Sequence, residues 1–572
     1  MVTEFLSQFM GNIPENLAIL FEIGIMLIIA AVFAFLVRLF KQPLIPAYII
    51  AGILIGPLFL GLVENQELIM SLSEIGVAFL IFTAGLEISI KRLKEVGGTA
   101  VLGGILQVVL LFTAGFFVSV WLGFAGRIPL YIGLVVAFSS TMIVFKLLAD
   151  KRELNSLHGR IIIGILLVQD IAAIIALSLL TSDFTLVSIL IALGKAIIFI
   201  VIAAILSKAV NPIFRRAAKS QELLLLVSIS FLFLFSIGAL LADLSLIIGA
   251  FFAGVALANS NFKTEIEGEI SPIRNFFAII FFVALGMQLQ LISREYLNLL
   301  LILIGLIIIF KPLIIMFLIR LIGYKKRTAF FTGNALAQTS EFSLIIAMLG
   351  FSLGHLSQAL LSVLILITIV TMSLTTYFIV YERKLYNWFS WPLNLLNGRG
   401  NKKEELEFFK KDGKRVILLG CHRMGSLFLK EFLRKKEEVI VVDYNPEIIR
   451  ALINKKIPCI YGDFVNKEVH DKINISNAEM IISTIPDMED NLLLIKKVRV
   501  HNKRVPIFVS ARRISEALKL YEAGADYVII PEVISGQKAF DIIKRTKIQK
   551  SSLKEMKKEH IQFLNSIHRI LY

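Results

Sequence analysis

At 572 residues the chain is long enough for several soluble domains, but 57% of its residues are hydrophobic and its mean hydropathy is +0.80. Soluble chains run at about 45 to 50% apolar, so an integral membrane protein is indicated, and a wholly soluble enzyme, a disordered chain and a secreted disulfide scaffold are excluded. The formal net charge of +16 does not point to nucleic acid, because Lys and Arg gather in the short loops between apolar segments, the pattern set by membrane topology.

Apolar stretches of about 17 to 25 residues recur about 13 times before residue 385, centred near residues 28, 50, 79, 110, 139, 169, 198, 231, 250, 282, 309, 339 and 368. The first is long and lacks a basic start or a small-residue cleavage site, so no cleaved leader is expected. Loops after odd-numbered stretches carry Arg38 and Lys41; Lys91, Arg92 and Lys94; Lys151, Arg152 and Arg160; Lys208, Arg215, Arg216 and Lys219; Lys263; Lys325, Lys326 and Arg327; Arg383 and Lys384. Loops after even-numbered stretches carry little beyond Arg127 and Arg294. The positive-inside rule then places the N-terminus outside and the C-terminal part in the cytoplasm, as expected of a multi-pass plasma-membrane protein.

The membrane part repeats itself. IIAGILIG at 49–56 is answered by FFAGVALA at 251–258, and FTAGLEIS at 82–89 by FVALGMQL at 282–289, with the second copy inverted by the loop charges. Two further positions correspond: Ser139-Ser140-Thr141 interrupts the fifth stretch and Gln338-Thr339-Ser340-Glu341 the twelfth. Unwound backbone at membrane depth survives only where it lines a cavity or is buried in protein, and matched breaks in inverted repeats are a mark of secondary transporters.

In the sixth stretch, ILLVQDIAAII sets Gln169 and Asp170 at the centre of an apolar run. A carboxylate there costs about 2.5 to 3.5 kcal/mol even on lenient scales, and a proton or a monovalent cation can neutralise it, but not both at once. That exclusion is the physical requirement for exchange. With Gln169 in place of a second acid, the pair is expected to hold one charge and so to exchange one cation for one proton. Lys311, central in LIIIFKPLIIMF, is expected to pair with Asp170 or with Glu341. Glu22 and Lys195 carry no local motif and read as domain-interface residues.

Beyond residue 400 the composition changes. RVILLG, EEVIVVD, IPCIYGD, AEMIISTI, PIFVSA and YVIIPE read as strands separated by amphipathic helices, a doubly wound parallel sheet. Both cysteines, Cys421 and Cys459, lie here. The first turn, Gly420-Cys421-His422-Arg423-Met424-Gly425, and the acid Asp443 ending the second strand match a dinucleotide fingerprint, with His422 replacing the middle glycine. That replacement makes AMP or another adenine nucleotide the leading expected ligand, with NAD(H) second, Arg423 or His422 donating to one phosphate and Asp463, at the end of the third strand, near adenine or ribose. The organisation read from the sequence is a membrane domain at 1–385, a linker at 386–413, a Rossmann-like domain at 414–540 and a basic tail at 541–572.

The membrane motifs KQPLIPAYIIAGILIGP at 41–57, FTAGLE at 82–87, SSTMIVFKLL at 139–148, LLVQDIAAI at 166–174, GAFFAGVALA at 249–258, SPIRNFFAIIFFVALGM at 271–287 and AQTSEFSLII at 337–346 resemble, in order, the Kef-type members of the monovalent cation:proton antiporter-2 family. The C-terminal part resembles a potassium-conductance-regulating, TrkA-N-like domain. The resemblance implies a polytopic α-helical exchanger with two crossed broken helices, whose core moves against a dimerisation domain in a homodimer. It further implies Asp170 as the cation and proton carboxylate, with Ser140 and Thr141 beside it, Lys311 at the family's membrane lysine, and a potassium preference from the Gln-Asp pair over sodium. It also implies that the cytosolic domain gates transport. A channel is disfavoured because no TVGYG-like filter is present, and an oxidoreductase because no acid–base constellation accompanies the Rossmann pattern.

Overall fold

The computed structural model describes residues 15–40, 42–63, 66–87, 98–180 apart from 152 and 155, parts of 194–206, 211–258 apart from 243, 260–393, 407–408, 415–462, 473, 478–548 and 557. The chain divides into two compact units, with the main division between Gly400 and Asn401. Among the described residues of the first unit, nine helices are long and apolar enough to cross a membrane, and Leu44–Ile55, Leu246–Leu257 and Glu341–Ser352 are shorter apolar helices. The stretch expected near residue 198 falls largely outside the described residues.

The first half consists of α1 (Glu15–Leu39), α2 (Leu44–Ile55), α3 (Gln66–Glu87), α4 (Gly98–Trp121), the broken pair α5 (Ile128–Ala137) and α6 (Thr141–Asp150), and α7 (Leu157–Leu180). After the short α8 (Asn211–Ala217), the second half repeats that order as α9 (Gln221–Leu241), α10 (Leu246–Leu257) and α11 (Lys263–Met287). It continues with α12 (Arg294–Gly305), joined through a π turn at Leu306–Phe310 to α13 (Lys311–Leu321), the broken pair α14 (Lys326–Ala335) and α15 (Glu341–Ser352), and α16 (Gln358–Val380). Counterparts lie about 200 residues apart throughout.

The Ala-Gly motifs are the points where helices of opposite halves cross. A Cβ on Gly52 of α2 would stand 2.0 Å from the Val283 carbonyl oxygen of α11, and one on Gly286 would stand 2.1 Å from that of Ile49. The mirrored crossing joins α10 to α3, where Gly254 would meet the Phe82 oxygen at 2.1 Å and Gly85 the Phe251 oxygen at 2.4 Å. In a bilayer, helices associate by close van der Waals approach, which small residues permit. The repeat is therefore visible in packing as well as in order.

The segment read as linker is partly structured. Glu382–Leu393 forms α17, and Glu407–Phe408 forms strand β1, pairing antiparallel with β4 (Cys459–Tyr461). The sheet of the second unit also holds β2 (Val416–Leu419), β3 (Val439–Asp443), β5 (Met480–Ser483), β6 (Ile507–Ser510) and β7 (Tyr527–Ile529), in the order β1-β4-β3-β2-β5-β6-β7, parallel except for β1. The six strands read from the sequence thus form a seven-stranded sheet with an added edge strand. Ile417, Leu419, Ile440 and Val442 face one core with Leu494 and Val498, whereas Val416, Leu418, Val439 and Val441 face another with Leu429 and Ile449. Burial on both faces explains the unbroken apolar runs. The helices include α18 (Arg423–Arg434), α19 (Pro446–Asn454), α20 (Met488–His501), α21 (Ile514–Glu522) and α22 (Pro531–Ile548). The last of these runs beyond residue 540, across the boundary read for the tail.

Candidate functional site

The two helix breaks meet. At each, a helix stops at carbonyl groups and another starts at N–H groups, so the crossing gathers two negative and two positive helix ends. Ser139 Oγ donates to the Leu336 oxygen at 3.1 Å, joining the breaks directly. Ser140 caps α6 by accepting from Ile143 N at 3.3 Å, and Ser340 caps α15 by accepting from Phe342 N at 3.2 Å.

Lys311 serves the carbonyl ends. Fully buried, its Nζ donates to Val136 O at 2.9 Å, Phe138 O at 2.7 Å and Gln338 O at 2.7 Å. This corrects the expectation that it pairs with Asp170 or Glu341. An ammonium has three donors, and here the orphan carbonyls of both breaks take all of them. The π turn immediately before it sets the register at which it enters the crossing.

The carboxylates lie at the amino ends. Asp170 on α7 is 7% exposed and accepts from Thr141 Oγ1, the first residue of α6, at 3.0 Å to each oxygen. Glu341 opens α15; its carboxyl interacts with the Ser140 hydroxyl and the Met142 N–H in the first turn of α6, and its Oε2 has no hydrogen-bond partner. Asp170 lies within electrostatic reach of Glu341 and Glu87, and Glu87 within reach of Glu267, Arg274, Glu341 and Lys263. Glu87, the last residue of α3 and of the FTAGLE motif, is a third carboxylate that the sequence reading passed over.

Gln169 is placed beside the site but is engaged in holding it. Its Oε1 accepts from Ser139 N at 2.8 Å, its Nε2 donates to Gln107 Oε1 at 2.6 Å, and Gln107 Nε2 donates to Ala137 O at 2.9 Å. Gln107, buried on α4, was missed; its signal was a lone amide in the run GGILQVVLLF. The second break is held by hydroxyls: Thr339 N donates to Thr371 Oγ1 at 3.4 Å, and Thr375 Oγ1 donates to Ala337 O at 2.6 Å. Glu22 is buried in α1, away from this crossing in sequence, and Lys195 lies outside the described residues.

In the second unit, Gly420 follows β2 with φ +82°, a conformation costly for any other residue. A Cβ on Gly425 would stand 2.0 Å from the Gly420 oxygen, so the first and last glycines of the fingerprint permit the tight turn into α18. His422 is exposed just before that helix, and Arg423 begins it, its side chain lying outside the described set. Strand order reverses between β2 and β5, the point where such sheets bind ligands; there Thr484 Oγ1 donates to Gly420 O at 3.0 Å. The Asp443 oxygens accept from Cys421 N and Asn445 N, each at 2.7 Å. Burial pushes the Asp443 carboxyl up from the usual range, against these two N–H donors, and the Cys421 thiol is pushed up to about 12 by burial and then by Asp443 and Cys459. Asp463 lies outside the described residues.

Residues 25–380 match the family model described as sodium/hydrogen exchanger, transmembrane. The chain belongs to the sodium/hydrogen exchanger family. Residues 416–531 match the TrkA-N domain model. The exchanger is 28% identical to the putative cation/proton antiporter YbaL of Escherichia coli (strain K12) over 524 residues, covering 88% of this chain and 94% of that one. It is 27% identical to the glutathione-regulated potassium-efflux system protein KefC of Salmonella typhi over 496 residues, covering 85% and 78%. Among solved structures, the sodium proton antiporter MjNhaP1 of Methanocaldococcus jannaschii covers 67% of this chain and all of that one, with a TM-score of 0.51 at 17% identity, a likeness of fold. The exchanger is thus a KefC-like cation/proton antiporter of the membrane with a C-terminal TrkA-N domain.

Proposed function

We propose that this antiporter exchanges potassium for protons, one for one, by alternating access at Asp170. One observation carries the reading: Asp170 is buried at the crossing with the Thr141 hydroxyl as its hydrogen-bond partner, while Lys311 is committed to three carbonyls. The carboxylate therefore needs a charge from outside the protein. As a cation enters, it displaces the proton from Asp170; as it leaves, a proton returns. Thr141 orients the carboxylate, Ser140 and Glu341 border the same amino ends, and Gln169 holds the break rather than the ion. Because Lys311 keeps its proton in this arrangement, each half-cycle carries one positive charge and exchange is electroneutral. A potential that would supply about 2.3 kcal/mol per charge per 100 mV then gives no drive. The Gln-Asp pair and the likeness to potassium-efflux relatives favour potassium over sodium.

The TrkA-N unit, in the cytoplasm by the loop charges, is proposed to regulate transport by binding an adenine nucleotide, AMP ahead of NAD(H), within a homodimer. A single phosphate is favoured because the tight Gly420–Gly425 turn leads into the start of α18, whose first N–H groups can donate to it. Asp443, whose carboxyl accepts from the Cys421, Asn445 and Tyr444 N–H groups, retains lone-pair capacity for a ribose hydroxyl.

Proteoliposomes given K⁺, Na⁺ or Rb⁺ pulses test the transport reading. Saturable proton flux, greatest with K⁺ and insensitive to clamped potential, is expected; Na⁺-selective flux refutes the potassium assignment, and opposite shifts at opposite potentials refute electroneutrality. Calorimetry with AMP, ADP, ATP and NADH on the full chain, repeated with Asp443→Ala, tests the nucleotide. No binding by any of them leaves the domain a scaffold.

A further inference from the structure

The helix α17, the last of the first unit, has two dissimilar faces. On one, Glu382 is buried and its carboxylate accepts from Lys151 Nζ at 2.7 Å; that ammonium, which also bonds the Ile379 oxygen, belongs to the residue capping the far end of α6. Four residues on, Tyr386 packs edge-on against Phe330 and Phe331 of α14, with ring centroids 5.5 and 5.8 Å away. Thus α17 touches one half of each broken helix.

Two residues around the helix, on the opposite side, lie Lys384 and Trp388, and Trp388 is 78% exposed. These continue the exposed stripe of α16: Leu374, Tyr377 and Tyr381, all outward, precede Lys384 and Trp388 at spacings of three or four residues. Lys384 Nζ stands 5.4 Å from the Tyr381 ring centroid. The outward stripe of a membrane-spanning helix faces lipid. Its continuation begins two residues after that helix ends at Val380, and changes from aliphatic to aromatic and cationic. Trp and Tyr rings favour the headgroup layer, and basic side chains there favour anionic lipid.

We propose that α17 is an interfacial helix, seated through Trp388 and Lys384 on the anionic headgroup layer while Glu382 and Tyr386 clasp the two broken helices. The partner is the bilayer surface itself. Whatever strains the linker then acts on α6 and α14 through a helix held to the membrane.

Trp121 and Trp391 are the other tryptophans, so the full chain carrying Trp121→Phe and Trp391→Phe reports Trp388 alone. In nanodiscs containing phosphatidylglycerol brominated near the carbonyl end of its acyl chains, Trp388 emission is expected to be blue-shifted and quenched several-fold more than by aqueous iodide. Lys384→Glu is expected to weaken that quenching in anionic but not in zwitterionic discs. Iodide quenching without lipid quenching overturns the proposal, and an unchanged response to Lys384→Glu in anionic discs overturns the anionic assignment. Should the double variant fail to fold, Trp388→Cys carrying a spin label gives the same depth by power saturation, because Cys421 and Cys459 are both buried.

Discussion

The two halves of the membrane unit share one plan and differ in chemistry. In the first, the break is tied to the following helix by an amide, Ser139 N to Gln169, and the next residue is Asp170; in the second, the equivalent tie runs from Thr339 N to Thr371, and the next residue is Met372, so a hydroxyl replaces the amide and an apolar side chain the acid. At the start of the second helix fragment the assignment reverses, with Thr141 in the first half and Glu341 in the second. Duplication supplied a scaffold that meets every break in the same way, and divergence placed the carboxylates at one side of the crossing and Lys311 at the other.

The comparison is broken most sharply at the acid. Asp170→Asn is expected to abolish cation-driven proton flux while leaving the protein folded, since an amide is nearly isosteric but cannot exchange a proton for a cation. In the second half Thr371→Val, at the counterpart of the neighbouring Gln169, removes a neutral hydrogen bond of about 1 kcal/mol, less than a tenfold effect on rate. Flux assays of both variants in one vesicle preparation decide; comparable losses would show that the halves are not specialised.

Lys311→Met probes a group that bonds the carbonyl ends of both breaks. Leaving three buried carbonyls unpartnered at about 1 to 3 kcal/mol each is expected to cost on the order of 3 to 9 kcal/mol, read as a large fall in the unfolding temperature of the detergent-solubilised protein.

Gly52→Ala and Gly254→Ala test the packing symmetry. A methyl group at either position meets a backbone oxygen near 2 Å, so each is expected to cost about 3 kcal/mol, and by similar amounts. A loss confined to one of the two would sink the equivalence of the crossings.

Gln107→Leu orphans Ala137 O and Gln169 Nε2, about 1 to 3 kcal/mol each, whereas Thr375→Val, its partner in the other half, orphans Ala337 O alone and has the smaller expected effect. Fluorescence-detected thermal unfolding compares them.

Much of this was legible in the sequence because lipid enforces accounting: polar residues at membrane depth must have a purpose, which exposed both breaks, Asp170, Lys311 and the matched Ala-Gly motifs. Partners were harder. Lys311 reads as a charge seeking an opposite charge, and only the fold reveals that helix ends gather carbonyls around it. Gln169 reads as an ion ligand, and only the fold shows that its amide also ties Ser139 N and Gln107. Gln107 is a single amide in an apolar run, and Thr371 and Thr375 merge into the hydroxyl-rich ITIVTMSLTT; neither carries a charge that would advertise its role. In the water-exposed unit the strands were clear from their apolar runs, but β1 is too short to show a periodicity of its own.

The π turn at Leu306–Phe310 gives the segment before Lys311 a particular genetic tolerance. Such a turn holds one residue more than an α-helix closes over, and each residue of a regular helix turns it by about 100°. Deleting a single codon within the turn would restore a regular helix and keep the later side chains, the lysine first, near their present direction, whereas the same deletion in the regular helix before the turn would swing them away from the carbonyls.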